Sequence, residues 1–155
     1  MSGEDLYGLL VPLLDERLLV PRACVAEVTG MQALQEMPGA PTWYLGMVPW
    51  NGRSIPVVSF EGACGNRIPA IGGRTRIIVF FCLGQKLPAG HFGIVTQGFP
   101  QLVRVSPAVI SADDSRVFGE RAPVLCQVRM VNELPLVPDL ERLEEMIADE
   151  TTVTA

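Results

Sequence analysis

The chain contains one histidine, His91, and one lysine, Lys86, among 155 residues. A Ser-His-Asp or Cys-His device would have to use His91, which follows Pro88-Ala89-Gly90 at the start of an apolar segment. No G-x-S-x-G motif accompanies it. The glycine-rich stretch Ile71–Arg76 lacks the G-x-x-x-x-G-K-[ST] pattern of a phosphate-binding loop, Lys86 lies in another turn, and no G-x-G-x-x-G occurs. The adjacent pair Asp113-Asp114 lacks the further oxygen ligands of a metal site. The four cysteines (Cys24, Cys64, Cys82 and Cys126) form no C-x-x-C pair, so they read as free, mostly buried thiols of a reducing compartment. No apolar run approaches the roughly 18 residues of a membrane span. The start, MSGEDLYG, carries Glu4 and Asp5 where a secretory signal carries positive charge. These absences predict a cytoplasmic protein without membrane insertion, metal, cofactor or catalytic group.

Basic stripes are also missing. The formal charge is −5, and six of the 17 acids lie between Asp139 and Glu150, offset there by Arg142 alone. The body before Asp139 is neutral, with 11 basic and 11 acidic residues. A neutral body with an acidic tail repels phosphate backbones, which argues against nucleic acid as a partner.

What is present is hydrophobic: 48% of the residues, with 19% charged, which excludes disorder for most of the chain. Leu6–Leu14 and Leu18–Val20 read as strands joined by a turn at Asp15-Glu16-Arg17. Arg22–Thr29 reads as a short helix after Pro21, stopped by Gly30, and Met37–Pro41 as a loop. Asn51-Gly52 between two apolar arms, YLGMVPW and RSIPVV, is the strongest hairpin signal, although each arm carries a proline, Pro49 and Pro56. Gly62–Arg74 reads as a loop. RIIVFFCL (76–83), His91–Thr96 and Gln101–Val105 read as strands. Asp113–Glu120 reads as an exposed polar stretch, and Val124–Val131 with Leu134–Val137 as a strand pair around Asn132-Glu133. A terminal helix is expected at about 139–149, capped by Asp139, with Leu140, Leu143 and Ile147 as its apolar stripe and the acids on a solvated face. The turn pairs Asn51-Gly52 and Asn132-Glu133 each lead into a proline-marked apolar strand, IPVV and LPLV, a weak echo that suggests two similar β lobes.

Taken in order, Val25-Ala26-Glu27-Val28, Met37-Pro38-Gly39-Ala40-Pro41, Tyr44-Leu45-Gly46 and Asn51–Val58 resemble the motifs of the CheW-like chemotaxis adaptor family. His91–Val95 and Leu102–Pro107 resemble its second half, and the likeness runs from Leu6 to Ile147. The resemblance implies a mostly β fold of two SH3-like five-stranded β-barrel lobes with short helices and a C-terminal α-helix, forming one CheW-like domain over residues 1–155. It implies no enzyme activity and no cofactor. The implied partners are methyl-accepting chemoreceptors, the regulatory domain of a CheA-type histidine kinase, and other CheW-like domains.

By the same resemblance, Val25 and Glu27 match the receptor-contacting "V-x-E", and Asn51 stands where the family usually has an arginine important for receptor contact. Trp50 joins the receptor-binding set as the aromatic beside that departure, and Leu34 and Ser54 fall where relatives contact the kinase. Pro49, Ser59 and Gln97 also depart from the pattern, replacing an Asn and two Asp residues. Asparagine cannot give the forked cationic contact of a guanidinium. The departures suggest a divergent adaptor serving an output other than flagella, such as type IV pilus twitching motility. The alternatives are a thiol-dependent enzyme using a cysteine with His91, and a small β-barrel nucleic-acid binder.

Overall fold

The computed structural model describes residues 6–153. Eleven strands and two α-helices follow one another: β1 (Leu6–Pro12), β2 (Arg17–Pro21), β3 (Val25–Gly30), β4 (Tyr44–Trp50), β5 (Arg53–Val58), α1 (Phe60–Ala63), β6 (Arg76–Phe81), β7 (His91–Thr96), β8 (Gln101–Val105), β9 (Ser111–Asp113), β10 (Val124–Arg129), β11 (Leu136–Pro138) and α2 (Leu140–Val153). The fold is mostly β, with two sheets and a C-terminal helix, as the sequence leads one to expect. One sheet has the order β3-β6-β7-β5-β4 and is built from one continuous stretch of chain; the other, β8-β1-β2-β11-β10-β9, joins the first two strands to the last four. Each sheet carries one of the two echoed turns, with Asn51 and Asn132 both at positive φ, 50° and 66°.

The hairpin prolines fit the pairing. Pro49 lies in β4, an outer strand, and is exposed. Pro56 lies in β5, whose parallel pairing with β7 begins one residue later, at Val57↔Gly93. Neither position requires an N–H on its open side, which is the condition for proline in a sheet. Asn51 and Gly52 (φ 77°) give the two left-handed positions of a type I′ turn.

Three segments differ from expectation. Arg22–Thr29 is helical only as a 3-10 turn at Arg22–Cys24; Val25–Gly30 is a strand paired with β6. Val25, Val28 and Thr29 are β-branched and suit that pleated surface, and the partner strand overrides the local helical spacing. The loop read at Gly62–Arg74 is entered through the single turn α1, whose cap Ser59 accepts from the Gly62 N–H at 3.1 Å. Serine thus serves the capping role that aspartate can also serve. The polar stretch from Asp113 begins inside β9, which makes the second sheet six-stranded. Asp113 is buried there, accepting from the Ser115 N–H at 2.9 Å, from the Ser115 hydroxyl, and from Arg129 Nη2 at 2.7 Å.

Apolar packing falls into three clusters. Val11, Leu18 and Val20 of one sheet meet Ile78, Phe80, Phe92 and Ile94 of the other, together with Leu140, Leu143 and Ile147 of α2. Val48, Ile55, Val57, Ile77, Val79 and Val95 fill the opposite face of the five-stranded sheet, and Leu10, Leu19 and Val128 that of the six-stranded one. Each sheet therefore has its own interior, and the helix closes a third core between them. The N-terminus of α2 is capped as expected, with the Arg142 N–H donating to Asp139 Oδ1 at 3.0 Å. One acid departs from the expected solvated face: Glu144 is fully buried. It lies at the i+4 position of the stripe Leu140, Leu143, Ile147, so helical geometry turns it inward.

Candidate functional site

Strand alternation assembles a mouth at one end of the five-stranded sheet. Ile77 and Val79 belong to its interior, so Phe81 continues the same face outward; Val95 belongs there too, so Gly93 and His91 continue it from the neighbouring strand. Phe81 and His91 are direct partners in the β6–β7 pairing, with ring centroids 5.2 Å apart. Val48 points the same way, which brings Trp50 over the interior, its ring 4.7 Å from that of His91. The Trp50 indole N–H donates to Glu27 Oε1 at 3.1 Å. Glu27 is in β3 and Trp50 in β4, the two outer strands of this sheet, so the sheet curls until its edges meet through this side-chain bond.

The mouth thus combines a half-buried indole, an exposed Phe81 ring, an imidazole between them and an exposed carboxylate. Arg53, opposite Trp50 in the hairpin, directs its guanidinium to the Ala89 carbonyl at 3.0 Å, and His91 Nδ1 lies 3.4 Å from the same oxygen. Apolar ring faces bordered by polar groups are typical of the anchor regions of protein interfaces.

The expected site residues divide among several places. Glu27 and Trp50 are in contact, and Asn51 is exposed beside them at the hairpin tip. Val25 is on the same strand, but a bulge between it and Glu27 turns it to the other face, where it packs against the core between the sheets. Leu34 is half-buried against the interior of the five-stranded sheet, in a segment bridged to β4 through Gln35↔Met47. That crossing requires Gly46: its φ is 146°, and a Cβ there would lie 2.6 Å from the Gln35 carbonyl oxygen. Ser54 is exposed and faces Pro49 in the hairpin. Sequence reasoning missed Phe81, His91 and Arg53 as members of the mouth. The signal was present in the alternation Ile77-x-Val79-x-Phe81 and His91-x-Gly93-x-Val95.

The environment of the thiols bears on the enzyme alternative. Burial, reinforced by Glu16 and Glu61, pushes Cys64 to about 11, and burial beside Glu144 pushes Cys82 to about 12. Burial also raises Cys24. Nucleophilic cysteines need the opposite shift. His91 has its ring against Trp50 and Phe81. A cleft of about 610 Å³ lies by the β1–β2 turn, but Arg17 pairs with Glu133 across it at 3.1 Å and Arg116 with Glu16. Among the described residues, no helix is long and apolar enough to cross a membrane.

A family model described as the CheW-like domain matches residues 7–146. No curated protein matches the chain. Among solved structures, the chain is similar to the scaffolding protein TtCheW from Thermoanaerobacter tengcongensis. The TM-score is 0.76, with 18% identity over 92% of this chain and 89% of that one. At that identity the likeness is one of fold.

Proposed function

The chain belongs to the CheW-like domain family, and on that premise we propose that it is a non-enzymatic chemosensory adaptor. It couples a methyl-accepting chemoreceptor to the regulatory domain of a CheA-type histidine kinase, in the cytoplasm and as one domain. The observation that carries this reading is the mouth of the five-stranded sheet. Glu27 and Trp50, which match or adjoin the motif that the resemblance assigns to receptor contact, form a single hydrogen-bonded unit at the mouth that also exposes the Phe81 ring. Asn51 borders that unit, and Val25 supports its strand from the opposite face. Leu34 and Ser54 are proposed on the kinase side, on the strength of the resemblance alone.

The receptor contact takes a form different from the usual one. Asn51 supplies no cation, and the guanidinium of Arg53, across the turn from Trp50, is tied to the Ala89 carbonyl. The surface therefore offers indole, phenyl and carboxylate. A different receptor tip implies a different output, and type IV pilus motility is the output proposed.

Purified chain mixed with the cognate kinase regulatory domain, and separately with a soluble receptor-tip fragment, tests the reading. Binding to both is expected, with Trp50→Ala weakening the receptor complex. Binding to neither sinks the proposal. Deletion of the gene should impair twitching while swimming persists; the reverse pattern would remove the pilus assignment.

A further inference from the structure

The buried carboxylate of Glu144 does more than pack. Its Oε1 accepts from the Gly84 N–H at 2.9 Å and its Oε2 from the Lys86 N–H at 2.7 Å. Gln85, between these donors, is left-handed at φ 54°, so successive backbone N–H groups converge on one anion as a nest. Gly84 is fitted to it, since a Cβ there would lie 3.3 Å from Oε2. Lys86 Nζ adds a second tie to α2 through Glu145 at 2.9 Å. The C-terminal helix therefore grips the loop between β6 and β7 by its backbone.

That loop leads straight to the mouth. Its two ends are Phe81 and His91, whose rings touch. The Cys82 N–H donates to the Gly90 carbonyl and the Gly90 N–H to that of Leu87, so the loop is braced as a unit. Its Ala89 carbonyl receives Arg53, and His91 carries the contact on to Trp50. We infer that Glu144 is a positioning residue for the receptor-facing mouth, setting the β6–β7 loop from α2 and, through Ala89 and His91, the orientation of Trp50. The functional part of this inference rests on the receptor reading above. By linkage, a partner that shifts α2 alters the mouth, and a partner seated on the mouth is felt at α2.

Two variants break the contact from opposite sides. Glu144→Gln keeps one acceptor and turns an amide N–H toward a backbone N–H. Gln85→Pro, at an exposed loop position, cannot hold positive φ and opens the nest without touching the helix. The readout is the indole N–H resonance of Trp50 in the ¹⁵N-labelled full chain, with Trp43, which packs in the core between the sheets, as internal reference. Both variants should shift the Trp50 signal, leave that of Trp43 in place, and weaken receptor-tip binding about tenfold, the equivalent of roughly one hydrogen bond. A Trp50 signal that stays put in either folded variant overturns the inference. So does equal movement of both indoles, which general loosening would give. If the tip fails to bind the unaltered chain, the receptor reading falls, while the Trp50 signal still decides whether Glu144 positions the mouth.

Discussion

Replacing Trp50 with alanine separates the possible roles of this side chain by magnitude. A fully buried tryptophan cut to alanine costs about 3–5 kcal/mol. Trp50 is half-buried, packing on the interior of the five-stranded sheet with its outer face open. About half the full value, ~2 kcal/mol, is therefore expected from lost packing. The indole bond to Glu27 is solvent-exposed and adds about 0.5 kcal/mol. With a urea m-value of about 2 kcal/mol/M, the unfolding midpoint should fall by about 1 M at unchanged slope. Trp50→Phe combined with Glu27→Ala in a double-mutant cycle isolates the edge-to-edge bond, with an expected coupling of about 0.5 kcal/mol. A cost below about 0.5 kcal/mol for Trp50→Ala would mean that the ring does not cap the sheet interior. A cost above about 4 kcal/mol would make it plain core, with little left to present to a partner.

The remaining predictions concern the frame around the mouth. Gly46→Ala forces a side chain into a left-handed position against the Gln35 carbonyl and should cost at least about 2 kcal/mol in urea unfolding, with Leu34 displaced. The Ser115 hydroxyl and N–H, then Gln127 and Arg129, hold the Asp113 carboxyl below its usual value of 3.8 against the opposing effect of burial. A depressed folded-state pKa stabilises above the unfolded value, and that contribution is lost as pH falls through the folded one. Asp113→Asn should therefore lower stability at neutral pH and flatten the acid limb of a circular-dichroism titration, and an unchanged limb would refute this. At near-neutral pH a thiol-specific reagent should modify exposed Cys126 quickly, while Cys64 and Cys82, held at about 11 and 12, resist until the chain unfolds.

Where the fold was legible in the sequence, the signal was local. Asn51-Gly52 dictates its own turn, RIIVFF can scarcely be anything but a strand, and Asp139 caps the helix its neighbours predict. What was illegible depends on partners distant in the chain. β3 is a strand because β6 lies beside it, and its apolar spacing alone also fits a helical turn. Asp113 can be buried because Ser115 donates hydrogen bonds to it and Arg129 pairs with its charge, an arrangement that no polar run announces. Glu144 was the nearest miss. Its i+4 place on the apolar stripe was visible, but an acid is assigned to solvent unless its donors are known, and these come from a loop 58 and 60 residues earlier.

At the hairpin tip, residues 49–51 fit together through the turn geometry. Position 51 is left-handed, φ 50°, a conformation that asparagine tolerates well and arginine poorly. A tight type I′ turn there fixes the register that places Trp50 opposite Arg53. The same register turns Trp50 inward over the sheet and leaves Pro49 on the outer edge, where its missing N–H blocks strand addition. Residues 49–51 thus hold an indole fixed beside a turn that itself carries no cation. Placing arginine at position 51 should then loosen the turn as well as add charge. Asn51→Arg is expected to cost about 1 kcal/mol in urea unfolding and to weaken the Trp50–Glu27 coupling. A variant that gains the charge with stability and coupling intact would show that turn geometry and the choice of residue 51 are independent.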